Sequence, residues 1–123
     1  MADAKKILIV DDDPDVQAIL RAALEKEGFR VASALDAMQG PMLARKEAPD
    51  LIILDIMMPA GGGISVYQRL RQNTHTTSVP ILIYSAVPPD QIRQLLPPGA
   101  ASPVLTKPQE LKNILAEIKK LLP

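Results

Sequence analysis

The stretch Ile7-Leu8-Ile9-Val10-Asp11-Asp12-Asp13-Pro14-Asp15 sets four apolar residues directly against four acids and a proline. A run that short and wholly apolar, preceded by Lys5-Lys6, is the pattern of a strand buried on both faces. The chain changes character at Asp11. Asp13 suits a helix cap, Pro14 the first helical position, and Asp15 the positive end of a helix dipole. Val16, Ile19, Leu20, Ala23 and Leu24 then recur at helical spacing until Gly28 stops the run. Strand, acidic loop and helix therefore occupy the opening segment in that order.

The alternation continues to the end of the chain. Phe29 to Ala34 reads as a weaker strand, nearer a sheet edge. Asp36 opens a helix to about Glu47, which Gly40-Pro41 must kink or delay. Leu51-Ile52-Ile53-Leu54 is a second buried strand, ended by Asp55. The loop Pro59-Ala60-Gly61-Gly62-Gly63 leads to a helix with Ile64, Tyr67 and Leu70 on one face. Val79 to Tyr84 is a strand ended by Ser85. A short helix around Ile92, Leu95 and Leu96 is bracketed by Pro88-Pro89 and Pro97-Pro98. Val104-Leu105-Thr106 is a last short strand, ended by Lys107-Pro108, and Leu111, Ile114, Leu115, Ile118 and Leu121 stripe a closing helix. Strands alternating with helices in this way predict an α/β fold, (βα)5, with a five-stranded parallel sheet and helices on both faces. In the flavodoxin-like order 2-1-3-4-5, ligands bind beyond the carboxyl ends of the strands.

Composition narrows the function classes. With 123 residues the chain is expected to form a single domain over 1–123. It has no cysteine, which excludes disulfides, thiolate metal sites and cysteine nucleophiles. Fourteen basic and fourteen acidic residues cancel, against a direct nucleic-acid binder. The longest apolar runs are far too short to span a membrane, and no signal-peptide core follows Lys6, so a cytoplasmic protein without membrane association is expected. Only Phe29, Tyr67 and Tyr84 are aromatic, so the core must be aliphatic.

What stands at the predicted strand ends is selective: Asp11 and Asp12, Asp55, Ser85, and Lys107. Three carboxylates brought together repel one another unless a cation sits among them. Oxygen ligands with no His or Cys to hand suit Mg²⁺ or Mn²⁺ rather than zinc. A lysine and a hydroxyl opposite such a metal complete a site for a phosphoryl group, with a carboxylate as nucleophile. Singly, these residues carry little. Asp13 and Asp15 serve as cap and first-turn acid, Asp55 alone could form a turn, and Ser85 or Lys107 alone would be ordinary surface residues. His75 lies in a polar loop with no orienting partner. Met57-Met58 reads as core or loop filler. Gly61-Gly62-Gly63 matches neither G-x-G-x-x-G nor G-x-x-x-x-G-K-S/T.

Taken together, Ile7 to Pro14, Leu54-Asp55-Ile56-Met57-Met58-Pro59 with Gly63, Ile83-Tyr84-Ser85-Ala86, and Leu105-Thr106-Lys107-Pro108 resemble the receiver domain of two-component response regulators over essentially the whole chain. The resemblance implies a signalling domain rather than an enzyme, one that assists its own phosphorylation and dephosphorylation. Asp55 matches the phosphoacceptor for a histidine kinase or phosphotransfer protein. Asp11, Asp12, Asp55 and the backbone carbonyl of Met57 match the Mg²⁺ ligands. Lys107 matches the lysine that pairs with a phosphoryl oxygen and precedes a cis proline, here Pro108. Ser85 matches the switch hydroxyl, with the Ala86 amide beside it. The family's usual switch aromatic falls at Val104, a departure, and the loop Gly99 to Pro103 carries about one residue more than the pattern. Downstream, the resemblance implies an unidentified protein or a separate output domain.

Two alternatives stay open on sequence. Asp11 and Asp13 have the D-x-D spacing of haloacid-dehalogenase phosphatases, although the chain is short for that family and Asp55 would then be unexplained. A receiver-like module that binds partners without phosphorylation is the other.

Overall fold

A computed structural model describes residues 4–59 and 62–123. Ten elements alternate along it: β1 (Lys6–Val10), α1 (Pro14–Lys26), β2 (Arg30–Ala34), α2 (Gln39–Glu47), β3 (Leu51–Leu54), α3 (Gly62–Gln72), β4 (Ile81–Ser85), α4 (Pro89–Leu95), β5 (Val104–Thr106) and α5 (Leu111–Leu121). The strands form one parallel sheet in the order β2-β1-β3-β4-β5, the expected flavodoxin-like arrangement.

The apolar runs are continuous because the sheet feeds two cores. Leu8, Val10, Ile52, Leu54 and Ile83 pack with Ala44, Val66, Leu70 and Ile92 on the side of α2, α3 and α4. Ile7, Ile9, Leu51, Ile53 and Leu82 pack with Leu20, Leu24, Ile114 and Ile118 on the side of α1 and α5. Successive side chains of a strand point to opposite faces, so every residue of β1 beyond Lys6 is needed by one core or the other. Truncating Ile7, Leu8 or Ile9 to alanine costs about 2–5 kcal/mol. The partly exposed β2 is an edge strand, as its weaker pattern predicts, and β5 is the opposite edge.

Several boundaries differ from the sequence reading, β2 by starting at Arg30 rather than Phe29. α2 starts at Gln39, so Pro41 falls in its first turn, where a missing N–H deprives no carbonyl of a partner and no kink results. Asp36 Oδ1 accepts from Gln39 N at 2.7 Å, and Gln39 Oε1 accepts from Leu35 N at 2.9 Å, a reciprocal arrangement akin to a capping box. β4 begins at Ile81, after Pro80, and runs through Ser85, so the serine is a strand residue with a ladder-type bond from Lys107 N to its carbonyl at 2.8 Å. Asp13 caps α1 as expected, accepting from Asp15 N at 2.8 Å. Ala60 and Gly61 of the expected loop lie outside the described residues, and Gly62 already belongs to α3.

Candidate functional site at the carboxyl edge of the sheet

The sheet ladder runs one residue past the formal ends of β1 and β3, and this is what fixes the acids. Asp11 N donates to Ala34 O at 3.1 Å, and Asp55 N donates to Val10 O at 2.9 Å. Both carboxylates are almost wholly buried, whereas Asp12 turns outward. Each buried carboxylate is then held from two sides. Asp11 Oδ1 accepts from Asp13 N at 2.9 Å, and Asp55 Oδ1 accepts from Met57 N at 2.9 Å. Their other oxygens share one cation, with Lys107 Nζ at 2.6 Å from Asp11 Oδ2 and 3.2 Å from Asp55 Oδ2. Oxygens of Asp11, Asp12 and Asp55 all lie within 4.8 Å of one another.

The charges do not balance, because three carboxylates face one ammonium. Burial pushes the Asp11 carboxyl upward, further than its bonds from Lys107 and Asp13 N pull it down, with the Asp55 charge adding to the rise. Burial alone would lower the Lys107 ammonium, but the hydrogen bond and charge of Asp11, reinforced by Asp55, overcome it and hold the lysine above its ordinary value. A hard divalent cation answers such a cluster, and oxygen is the donor it takes. The three carboxylates are the right donor set for one.

Ser85 is fully buried at the end of β4, with its Oγ accepting from Val87 N at 3.3 Å. Ala86 follows on the surface. Lys107 follows β5 directly, and the Lys107-Pro108 peptide is cis. The structure thus brings Asp11, Asp12, Asp55, Ser85 and Lys107 to one rim. It separates the two methionines, since Met58 is buried while Met57 is 61% exposed above Asp55. His75 is an exposed loop residue whose backbone N–H donates to Asn73 Oδ1 at 2.8 Å. Val104 is partly buried against the α3–α4 core.

Three residues that support this rim were not picked out from sequence for the jobs they do. Gln17 reaches from α1 to donate through Nε2 to Ile9 O, Asp11 O and Ala34 O at 3.0, 3.0 and 2.9 Å, clamping the ends of β1 and β2. Tyr84 sets its ring 5.6 Å from Lys107 Nζ, and its hydroxyl accepts from Gln109 N at 3.1 Å, bracing both the lysine and the chain beyond it. Gly63 lies so close to the backbone of Asp55 and Ile56 that a Cβ there would overlap it. A polar residue in a helix and an aromatic in a strand have no sequence pattern that reveals such duties. Gly63 was already among the residues that carry the receiver resemblance.

A model of the response regulator receiver domain matches residues 7–119. The chain is 38% identical over 117 residues to the DNA-binding dual master transcriptional regulator RpaA of Synechocystis, covering 95% of this chain and 48% of that protein. It is 33% identical over 117 residues to Protein PilH of Pseudomonas aeruginosa, covering 95% of this chain and 97% of that one. It therefore spans about half the length of the first relative and nearly all of the second. The receiver domain of the sensor histidine kinase PA1611 from Pseudomonas aeruginosa, solved with magnesium coordinated in its active-site cleft, superposes with a TM-score of 0.86. It covers 96% of this chain and 97% of its own at 24% identity, a likeness of fold. Five parallel strands in the order 2-1-3-4-5, an acidic rim with one shared lysine, and a family match across most of the chain converge: the chain belongs to the response regulator receiver domains of two-component systems.

Proposed function

We propose that this chain is a phosphoacceptor, acting as one receiver unit over residues 1–123. Asp55 takes a phosphoryl group from a histidine kinase or phosphotransfer protein in a Mg²⁺-dependent reaction, with Mn²⁺ as a substitute, and the domain then changes the surface it offers to a downstream protein. The observation that carries the reading is the Lys107 ammonium shared between Asp11 and Asp55 on an acidic rim.

Asp55 is the nucleophile because it is central, buried and oriented at both oxygens, by Met57 N and by Lys107. A carboxylate fixed in this way meets the phosphorus without first losing rotational freedom. An Asp55 oxygen–phosphorus bond forms, the phosphorus–nitrogen bond of the phosphohistidine breaks, and its electron pair stays on the imidazole nitrogen. Lys107 then pairs with a phosphoryl oxygen in place of part of its present contact with Asp55. The Ser85 hydroxyl turns from Val87 N to the same group, joined by the Ala86 amide. Asp11, Asp12 and Asp55, with the Met57 carbonyl, would hold the divalent ion. When bound, that ion supplies charge neutralisation between the carboxylate and the phosphoryl oxygens. Magnesium in the cleft of the PA1611 receiver supports the assignment for this chain.

The test is intact mass after incubation with acetyl phosphate, with and without Mg²⁺, on wild type and Asp55→Asn, repeated with beryllofluoride to trap a short-lived state. One adduct that needs Mg²⁺ and disappears in the variant supports the reading. Absence of both the phosphoryl adduct and a beryllofluoride complex overturns it in favour of a binding module that works without phosphorylation.

A further inference from the structure

Away from the acidic rim, α2 and the end of α3 enclose an open groove of about 820 Å³. Gly40 and Ala44 turn α2 inward onto the core, which leaves Met38 and Met42 outward at helical spacing, 77% and 57% exposed. Around these two side chains stand Arg45, Lys46, Arg69 and His75, and no acid lines the groove. Among the described residues, none of the three permanent cations makes an ion pair. In a chain whose formal charge is zero, three unpaired cations around an apolar strip are a local excess that calls for a complement.

We infer that this groove is a docking site for an acidic amphipathic helix of a partner protein. The methionines supply a flexible apolar seat of the kind used to accept varied helices, and the basic rim supplies the charge match. One wall is α2 and the other the end of α3 with the hydrogen-bonded turn that follows it, so an added β-strand meets no free sheet edge to pair with. A second copy of this chain is a poor occupant, because none of its five helices carries more acidic than basic residues. A polyphosphate would satisfy the cations but leave the exposed methionines unused. The groove contains none of Asp11, Asp12, Asp55, Ser85 or Lys107, so the inference stands or falls independently of phosphorylation at Asp55.

The test is amide-resolved NMR of the unphosphorylated chain, titrated with a synthetic peptide of about four helical turns bearing leucines on one face and glutamates elsewhere. Controls are the same peptide with lysine for glutamate, a scrambled peptide, a short RNA and anionic vesicles. The expected result is saturable shifts confined to residues 38–46 and 69–76, absent with the lysine and scrambled peptides. Affinity should fall about tenfold or more in each of Met42→Ser and Arg45→Glu, both exposed substitutions that leave the remaining spectrum intact. No shifts, shifts elsewhere, or equal response to the scrambled peptide would overturn the inference. So would RNA or vesicles moving the same residues with no sensitivity to Met42→Ser, which would make the groove a phosphate-binding surface. A concentration-dependent dimer by sedimentation that the Arg45→Glu change abolishes would replace the partner with a second copy.

Discussion

Lys107 holds two buried carboxylates at 2.6 and 3.2 Å, and its own position depends on residues that carry no charge. Tyr84→Phe keeps the ring beside the ammonium but leaves Gln109 N without its acceptor. It should cost about 1 kcal/mol in urea unfolding and slow adduct formation with acetyl phosphate, while Mg²⁺ binding stays unchanged. Gly63→Ala is expected to be harsher, because the new methyl meets the backbone of Asp55 and Ile56 rather than a movable side chain. A loss of about 1–3 kcal/mol should appear in the same unfolding curves, with weakened Mg²⁺ binding because Asp55 is displaced. The acids, Ser85 and Lys107 were legible in the sequence because polar groups that end wholly apolar runs must sit at the rim of a buried sheet. Tyr84 and Gln17 were not, since their partners lie in segments that only the fold brings near.

The elements repeat that contrast. β1, β3 and β4 were readable because burial on both faces leaves no polar interruption, and α1 and α5 because their stripes are regular. The start of α2 was not, since Pro41 is compatible with either a kink or a late start. The choice is made by the Asp36–Gln39 cap and by Gly40 against Val10 and Val66. Asp36→Ala should therefore cost about 1 kcal/mol by denaturant unfolding, with little effect on phosphorylation. Between β4 and α4, Ser85 Oγ accepts from Val87 N, so a hydroxyl that turns to the phosphoryl group releases the entry to the next helix. With Val104 at the family's aromatic position, the signal should leave by this route. Beryllofluoride should shift the amides of Val87 through Leu95 in wild type, and the Ser85→Ala variant should lose those shifts. Changes confined to the Asp55 rim would contradict the route.

For the molecule as a whole, the rim is an unbalanced charge distribution that a divalent ion would relieve. Mg²⁺ should raise the melting temperature, through a stabilisation that reaches about 2.7 kcal/mol when the ion stands at a hundred times its dissociation constant, and a chelator should reverse it. The pH dependence has a definite sign. Folding raises the Asp11 pKa, so without the ion this carboxyl keeps its proton in the folded chain between the two values, and its own contribution to stability falls as pH rises through that window. Mg²⁺ held by the same carboxylate would compete with its proton, so its stabilising effect should grow through that window and level off above it. Melting curves at several pH values with and without the ion read both trends. Among the described residues no helix is long and apolar enough to cross a membrane.

If this rim is one phosphoryl site with Asp55 as its acceptor, the position of the phosphoryl group shows it directly. After treatment with acetyl phosphate and Mg²⁺, borohydride reduces an aspartyl phosphate to homoserine, which peptide mass spectrometry locates. Homoserine is expected at residue 55 and nowhere else. Homoserine at Asp11 or Asp13, as a D-x-D phosphatase would give, contradicts it.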